Sequence, residues 1–156
     1  MNTIGEALGR VPSGLFIVTI RAGDRANAFL ASWVQQAAFE PPALSVAIKK
    51  GRPALELLSL GGIFGLHVLK EGDKKLLKHF SAGFPLDGHP YQGLETRRGS
   101  TGVEILPDAL AWMECRVMTI TEVGDNMVVF GEILNGAVAP EGGEPAIWTR
   151  KSGFTY

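Results

Sequence analysis

Two long apolar segments separated by three turn residues constrain this fold more than any other feature of the sequence. The segments are Leu110–Val123 and Met127–Val138, and both are rich in β-branched residues. Gly124-Asp125-Asn126 joins them, and these residue types at this spacing are typical of a hairpin turn. The sequence therefore predicts a long antiparallel β-hairpin.

Shorter elements surround this hairpin. Capping-box spacing at Thr3–Glu6 predicts a helix over residues 4–10, and two further helices are predicted after Pro53 and after Asp73. Apolar runs predict strands over residues 15–20, 28–39, 44–48, 63–69 and 146–149. Residues 22–27 are interpreted as a turn. Residues 81–106 are interpreted as a long irregular loop, here called the excursion, and such a loop in a compact domain more often has a function than not. About six or seven strands with a few short helices predict a mostly antiparallel β-barrel.

Length and composition predict one ordinary soluble domain over residues 1–156. Apolar residues make up 46% of the chain, charged residues 20%, and the formal net charge is −1. This balance supplies no field for broad attraction to nucleic acid or to a membrane. Cys115 is the only cysteine, which excludes an intrachain disulfide and a cysteine-based metal site within one chain. No basic stretch followed by a long apolar one opens the sequence, so a cytoplasmic location is predicted.

The segment Lys49-Lys50-Gly51-Arg52-Pro53 is the best candidate for an anion site. It places three cations and a glycine at a strand-to-helix junction. Unpaired N–H groups and the positive end of the helix dipole at such a junction favour an anion, particularly a phosphate. The alternative interpretation is a solvated basic turn.

A second candidate segment is Ser32-Trp33-Val34-Gln35-Gln36. Two glutamines beside a tryptophan in a strand need hydrogen-bond partners if they are buried. The edge of a polar ring system or neighbouring backbone can supply those partners. The alternative is that both glutamines face solvent.

Four other residues are interpreted as structural. His67 lies in an apolar strand and is predicted to be a core residue, and Cys115 is predicted to be unreactive packing. Glu114 and Arg116 are predicted to share one face of a strand and to form a structural pair. The three histidines lack the spacing of metal ligands, so no metal site is predicted.

The segment from Ala31 to Leu44 resembles the flavin reductase-like, FMN-binding split-barrel family. In that family a small, serine-containing strand segment precedes a double proline, here Pro41-Pro42, and an apolar strand. The resemblance continues in order along the chain through Lys49–Pro53, Lys78–Phe80, Asp108–Cys115, Gly124-Asp125 and Arg150–Gly153. Within this family, the chain is similar above all to the flavin reductase-like domain of diflavin flavoproteins and to small stand-alone members. The resemblance implies an antiparallel Greek-key split β-barrel with a few short helices.

The resemblance also implies roles for individual residues. Those expected to bind the isoalloxazine and ribityl groups are Ala31, Ser32, Trp33, Val34, Gln35 and Gln36. Lys49, Lys50 and Arg52 would hold the phosphate of FMN, with FAD as the alternative cofactor. His79 and Phe80 would lie close to the flavin. Lys151 and Tyr156 would complete a site at or near the interface of a homodimer.

The hairpin turn is where this sequence departs from the family pattern. Many members carry Gly-Asp-His, whose histidine is associated with use of a nicotinamide, whereas this chain carries Gly124-Asp125-Asn126. Asparagine can donate and accept hydrogen bonds, but it cannot become a cation near neutral pH. The three residues are therefore candidates for the nicotinamide side of the site, and a plain hairpin turn is the alternative.

The implied function is that of an NAD(P)H:flavin oxidoreductase. Electrons would pass from the nicotinamide to bound flavin and then to free flavin, oxygen, or a redox protein or oxygenase partner. The cofactor carries the chemistry, so no catalytic side chain is required. The first alternative is an FMN electron-transfer protein reduced by a protein partner. The second is a barrel that has lost its flavin.

Overall fold

The computed structural model describes residues 3–155. Within them, two α-helices, one 3-10 helix and eleven strands form. In chain order these are α1 (Thr3–Gly9), β1 (Ser13–Gly14), β2 (Phe16–Ala22), β3 (Arg25–Ala31), β4 (Val34–Ala38), β5 (Ala43–Lys49), the 3-10 helix (Pro53–Leu57), β6 (Ile63–Val68), α2 (Lys74–Phe80), β7 (Arg97–Arg98), β8 (Glu104–Ile105), β9 (Ala111–Val123), β10 (Asn126–Val138) and β11 (Ile147–Trp148). Neither α-helix in this part of the chain is long and apolar enough to cross a bilayer.

Seven of the strands form one sheet in the order β3-β2-β6-β9-β10-β5-β4. All of the pairings between them are antiparallel. The predicted hairpin supplies β9 and β10 at the middle of this sheet, since β-branched residues favour a pleated surface that is half buried. The prediction of a mostly β, antiparallel fold with a few short helices is confirmed.

Both faces of the sheet are covered by apolar packing. Successive residues of a strand point to opposite faces. In β2, Val18 packs into a core cluster with Phe64 and Val46, whereas its neighbour Ile17 packs into a second cluster with Leu76 and Phe80. The second cluster fixes α2 and part of the excursion on the outside of the barrel.

The apolar run over residues 28–39 is not one strand. It divides into β3 and β4, and Ser32-Trp33 lies at the break. The predicted turn over residues 22–27 is also shorter than expected, because only Gly23 and Asp24 lie between the paired residues Ala22 and Arg25. Gly23 has a φ of +64°, a conformation that costs glycine little, so two residues suffice to close this hairpin. Residues 25–27 consequently belong to β3.

His67 is a satisfied core residue, as predicted. Its Nε2 accepts a hydrogen bond from the backbone N–H of Leu106 at 3.0 Å, and Nδ1 lies 3.1 Å from the carbonyl oxygen of Ile17. Nδ1 therefore carries the proton of the neutral ring and donates it to that carbonyl. Burial lowers the pKa of His67 to about 4.

The predicted pair of Glu114 and Arg116 is wrong. Glu114 is fully buried and instead accepts hydrogen bonds from Thr101 (backbone N–H at 2.9 Å, hydroxyl at 2.6 Å), Ser100 (3.0 Å) and Asn135 (3.1 Å). The excursion covers Glu114 and supplies most of these donors, whereas Arg116 lies exposed. Cys115 is buried as predicted, and burial raises the pKa of its thiol to about 12.

Candidate functional site

A cavity opens beside the break between β3 and β4. We call it the inner chamber; its volume is about 390 Å³. Most of its wall is apolar or aromatic, and the residues that line it are Leu15, Phe29, Leu30, Ala31, Ser32, Trp33, Ala47, Ile48, Lys49, Arg52, Leu77, Phe80, Ser81, Asn126 and Trp148. The carbonyl oxygen of Trp33 accepts a hydrogen bond from the backbone N–H of Ala47 at 3.0 Å, which fixes the break against β5. The break thus exposes Ser32 and Trp33 to a cavity instead of continuing the strand.

A second cavity adjoins the first one. This outer chamber has a volume of about 480 Å³ and is lined by Asn27, Phe29, Lys49, Lys50, Gly51, Arg52, Pro53, Ala82, Gly83, Phe84 and Pro85. Phe29, Lys49 and Arg52 line both chambers, so the two spaces lie side by side and meet at these residues. Gly51, with a φ of +84°, allows the basic turn to fold back towards the barrel.

The basic turn supplies positive charge at the junction of the chambers. Among residues 3–155, neither Lys49 nor Arg52 has an ion-pair partner. The Arg52 guanidinium lies 4.8 Å from the centre of the Phe29 ring, which orients it at the junction. No carboxylate is found among the described residues that line either chamber. The junction is therefore suited to an anion.

Lys50 is arranged differently from the other two cations. Its ammonium forms an ion pair with Glu122, and its backbone N–H donates to the carbonyl oxygen of Asp125 at 3.0 Å. The hydrogen bond from Lys50, together with its charge, lowers the pKa of Glu122. Lys50 lines the outer chamber but also fastens the basic turn to the β9–β10 hairpin.

The β9–β10 hairpin brings one residue of its turn sequence to the inner chamber. Asn126 is the first residue of β10 and lines this chamber, and its Nδ2 donates to Asp125 Oδ1 at 2.8 Å. Gly124 and Asp125 are exposed at the turn and line neither chamber. Of the three nicotinamide-side candidates, the structure places only Asn126 at the cavity.

Helix α2 presents one of its two predicted site residues to the inner chamber. Asp73 caps the helix by accepting a hydrogen bond from the backbone N–H of Leu76 at 3.0 Å. Phe80 lines the chamber, whereas His79 does not. Its Nε2 lies 2.7 Å from the carbonyl oxygen of Pro90, and its ring packs against Phe80 and Phe84. His79 supports the chamber wall from behind.

The remaining predicted residues lie elsewhere. Val34 and Gln35 line a third cavity, an open groove of about 800 Å³ that we call the β4 groove and that is also lined by Leu8, Val11, Phe16, Ile147 and Arg150. Gln36 is exposed, with its Nε2 3.5 Å from the carbonyl oxygen of Ala38. Lys151 is exposed and lines none of these three cavities. Tyr156 lies outside the described residues.

Sequence reasoning missed several lining residues. The turn-forming residues around Gly23 and Asp24 predict a turn at Asn27, and this prediction hides its position on the same face of β3 as Phe29. Once β3 begins at Arg25, alternation places Asn27, Phe29 and Ala31 together. Phe84 and Pro85 lie in the excursion, where no periodic signal predicts their position.

The comparisons with known proteins agree with this architecture. The family model described as "Flavin reductase like domain" matches residues 8–155. The chain belongs to the flavin reductase-like domain family. It is 41% identical over 156 residues to Diflavin flavoprotein A 1 of Synechocystis sp., a match that covers 99% of this chain and 27% of that protein. It is 38% identical over 154 residues to the putative diflavin flavoprotein A 3 of Nostoc sp., covering 98% of this chain and 27% of that one. The flavin reductase-like chain thus spans about a quarter of the length of these curated relatives.

Solved structures share the fold of this flavin reductase-like domain. The NADH:FAD oxidoreductase SgcE6 of Streptomyces globisporus C-1027 superposes with a TM-score of 0.82 at 22% identity, covering 92% of this chain and 85% of that one. The styrene monooxygenase flavin reductase SMOB of Pseudomonas putida S12 superposes with a TM-score of 0.76 at 24% identity, covering 92% of this chain and 90% of that one. The predicted split-barrel fold is therefore confirmed.

Proposed function

We propose that this chain is an oxidoreductase that binds FMN across the two chambers and receives electrons from NADH or NADPH. The observation that carries the proposal is the position of an apolar inner chamber beside a cationic outer one, with Phe29, Lys49 and Arg52 in the walls of both. Each chamber falls within the range of ligand pockets, about 300–1,000 Å³. Bound flavin would supply the redox chemistry, and the protein would supply binding and orientation.

The inner chamber suits a planar aromatic ring system. Phe29, Trp33 and Phe80 provide large apolar surfaces, which stabilise a ring by burying it. Ser32 and Asn126 line the same chamber with neutral groups that can bond to the polar edge of a ring. FAD remains the alternative cofactor, because the outer chamber is open and larger than the inner one.

Lys49 and Arg52 are the residues that we assign to the phosphate. Within residues 3–155 these two cations have no ion-pair partner, so they can neutralise a phosphate dianion. Hydrogen bonds between ionised partners are stronger than those between neutral ones. Lys50 lines the outer chamber and contributes charge there, while its ammonium stays within reach of Glu122. FMN therefore fits the donor set better than a flavin without phosphate.

A second copy of the chain is the proposed occupant of the β4 groove. Val11 and Ile147 line this groove and are exposed by 64% and 68%, and the groove shares Ser32 and Trp33 with the inner chamber. A homodimer built on this face would bury these apolar groups and place the flavin sites near the interface. Gln35 and Lys151 belong to this interface in the proposal.

A cytoplasmic location and a redox protein or oxygenase as electron acceptor remain predictions.

Asn126 favours a second candidate function. It lies at the inner chamber in the hairpin position where many family members carry a histidine. Asparagine cannot supply a cation to a nicotinamide dinucleotide. In this alternative the chain is an FMN electron-transfer protein that is reduced by a protein partner.

Anaerobic mixing separates the two functions. FMN-loaded protein is mixed with NADH and with NADPH while the flavin absorption band is followed, and dithionite serves as the control reductant. The oxidoreductase proposal predicts bleaching by at least one nicotinamide. Bleaching by dithionite but by neither nicotinamide would overturn it in favour of the electron-transfer protein.

A further inference from the structure

The outer chamber has two walls of different character. One is the basic turn at Lys49–Arg52, and the other is the segment from Ala82 to Pro85 that follows α2. The second wall contains no strand or helix. Its position therefore depends on the contacts that its own residues make with the barrel.

Asn27 makes the contact that fastens this wall. Asn27 is 2% exposed and lines the outer chamber. Its Nδ2 donates to the carbonyl oxygens of Phe84 at 3.2 Å and of Pro85 at 3.3 Å. The backbone carbonyl of Asn27 in turn accepts from the hydroxyl of Tyr91 at 3.3 Å. An amide NH₂ offers two donors, so one side chain satisfies two successive carbonyls of the wall.

The wall is also coupled to the inner chamber. The ring of Phe84 packs against Phe80 at 5.9 Å between centroids, and Phe80 lines the inner chamber. Without the Asn27 amide, the Phe84 carbonyl would lose its donor, and the Pro85 carbonyl would keep only the backbone N–H of Gly88 at 3.0 Å. The wall would have to move to restore the lost bonds. Such a movement would change the enclosure opposite Lys49 and Arg52.

We infer that Asn27 is a positioning residue that sets how tightly the phosphate of the flavin is held, by fixing the Phe84–Pro85 wall opposite the basic turn. This inference rests on the proposed function. Asn27 acts through the wall and not by contact with the phosphate. Its effect should therefore be larger on the affinity for FMN than on the affinity for riboflavin, which has the same ring system and no phosphate.

Three substitutions of Asn27 test this role. Asn27→Ala removes both donors, and Asn27→Asp keeps the shape but turns an acceptor towards two carbonyl oxygens. Asn27→Ser retains a single donor and serves as the conservative variant if the other two fold poorly. Dissociation constants for FMN and for riboflavin, and the dissociation rate of FMN, are measured for each variant with wild-type protein alongside.

We expect the ratio of riboflavin to FMN dissociation constants to fall about tenfold in Asn27→Ala and in Asn27→Asp, because two hydrogen bonds are lost. FMN should dissociate correspondingly faster, and Asn27→Ser should give an intermediate value. Ser100→Ala is the matched control. It removes the 3.0 Å bond to Glu114 that ties another part of the same excursion to the barrel, and it should leave the ratio unchanged.

The outcomes distinguish the inference from the proposed function. Equal weakening of FMN and riboflavin would show a general structural role for Asn27 and would overturn the inference. An unchanged ratio in all three variants would overturn it as well. Failure of the wild-type protein to bind FMN would overturn the proposed function, and the inference with it.

Discussion

Lys49 and Asn126 lie directly opposite each other in the antiparallel pairing of β5 with β10. Neighbouring strands are about 4.8 Å apart, so residues paired in this way place their side chains on the same face of the sheet. Both line the inner chamber. The cation assigned to the phosphate and the candidate for the nicotinamide side are therefore neighbours at the end of one strand pair.

Substitution of Arg52 tests the phosphate assignment. Arg52→Met keeps an apolar stem beside Phe29 but removes the charge, so we expect FMN affinity to fall by about 10- to 100-fold, the effect of one lost charged contact. Riboflavin affinity should not change. Lys50→Met is the comparison variant, and we expect a smaller loss because Lys50 already pairs with Glu122. A larger loss in Lys50→Met than in Arg52→Met would contradict the assignment.

Asn126→His tests the nicotinamide side of the chamber. The ordinary histidine pKa is about 6.5, so an imidazole at this position would add a cation below that pH. We expect the KM for the nicotinamide to fall by about threefold on acidification in the variant and not in the wild type. The measurement is the rate of anaerobic bleaching against pH. Identical pH profiles for variant and wild type would place the nicotinamide elsewhere, and Asp125→Asn controls for changes at the exposed turn.

The lowered pKa of His67 predicts that the protein loses stability on mild acidification. Its pKa is lowered from 6.5 to about 4, so the unfolded chain takes up a proton in this interval and the folded chain does not. The free energy of unfolding is therefore unaffected by this group above pH 6.5. It falls by about 3 kcal/mol in total as the pH falls towards 4. Urea unfolding across this interval measures the slope. In His67→Gln the free energy of unfolding should depend less steeply on pH. An equal slope in both proteins would show that His67 does not cause the loss of stability.

The lowered pKa of Glu114 predicts a further loss of stability at lower pH. Burial raises its pKa, but the bonds from Thr101, Ser100 and Asn135 outweigh burial and lower the pKa from 4.5 to about 2. Its stabilisation is therefore present above pH 4.5 and is lost as the pH falls towards 2. We expect Glu114→Gln to lower the free energy of unfolding by about 1–3 kcal/mol near neutral pH. This difference should shrink with acid, whereas the exposed Glu122→Gln should show no comparable change.

The elements that are determined locally could be predicted from the sequence. β-Branched residues around Gly124 and Asp125 predict the long hairpin, and Asp73 predicts the start of α2 because its side chain caps the helix. The break at Ser32 could not be predicted in this way, because apolar residues continue on both sides of it. It becomes visible only when β4 is paired with β5.

Contacts between residues far apart in the sequence account for the other differences between the sequence-based predictions and the structure. Lys50 meets Glu122, 72 positions away, and Asn27 meets Phe84, 57 positions away. No periodic pattern in either segment encodes the partner. The orientation of His79 away from the chamber likewise depends on the Pro90 carbonyl, which lies in the irregular excursion.

The visible spectrum of protein that has been incubated with FMN and then desalted tests the central claim most directly. The adjacent apolar and cationic chambers predict that flavin stays bound in equimolar amount, and that Arg52→Met retains clearly less of it. Protein that is colourless after desalting, or a variant that retains as much flavin as the wild type, would contradict the account.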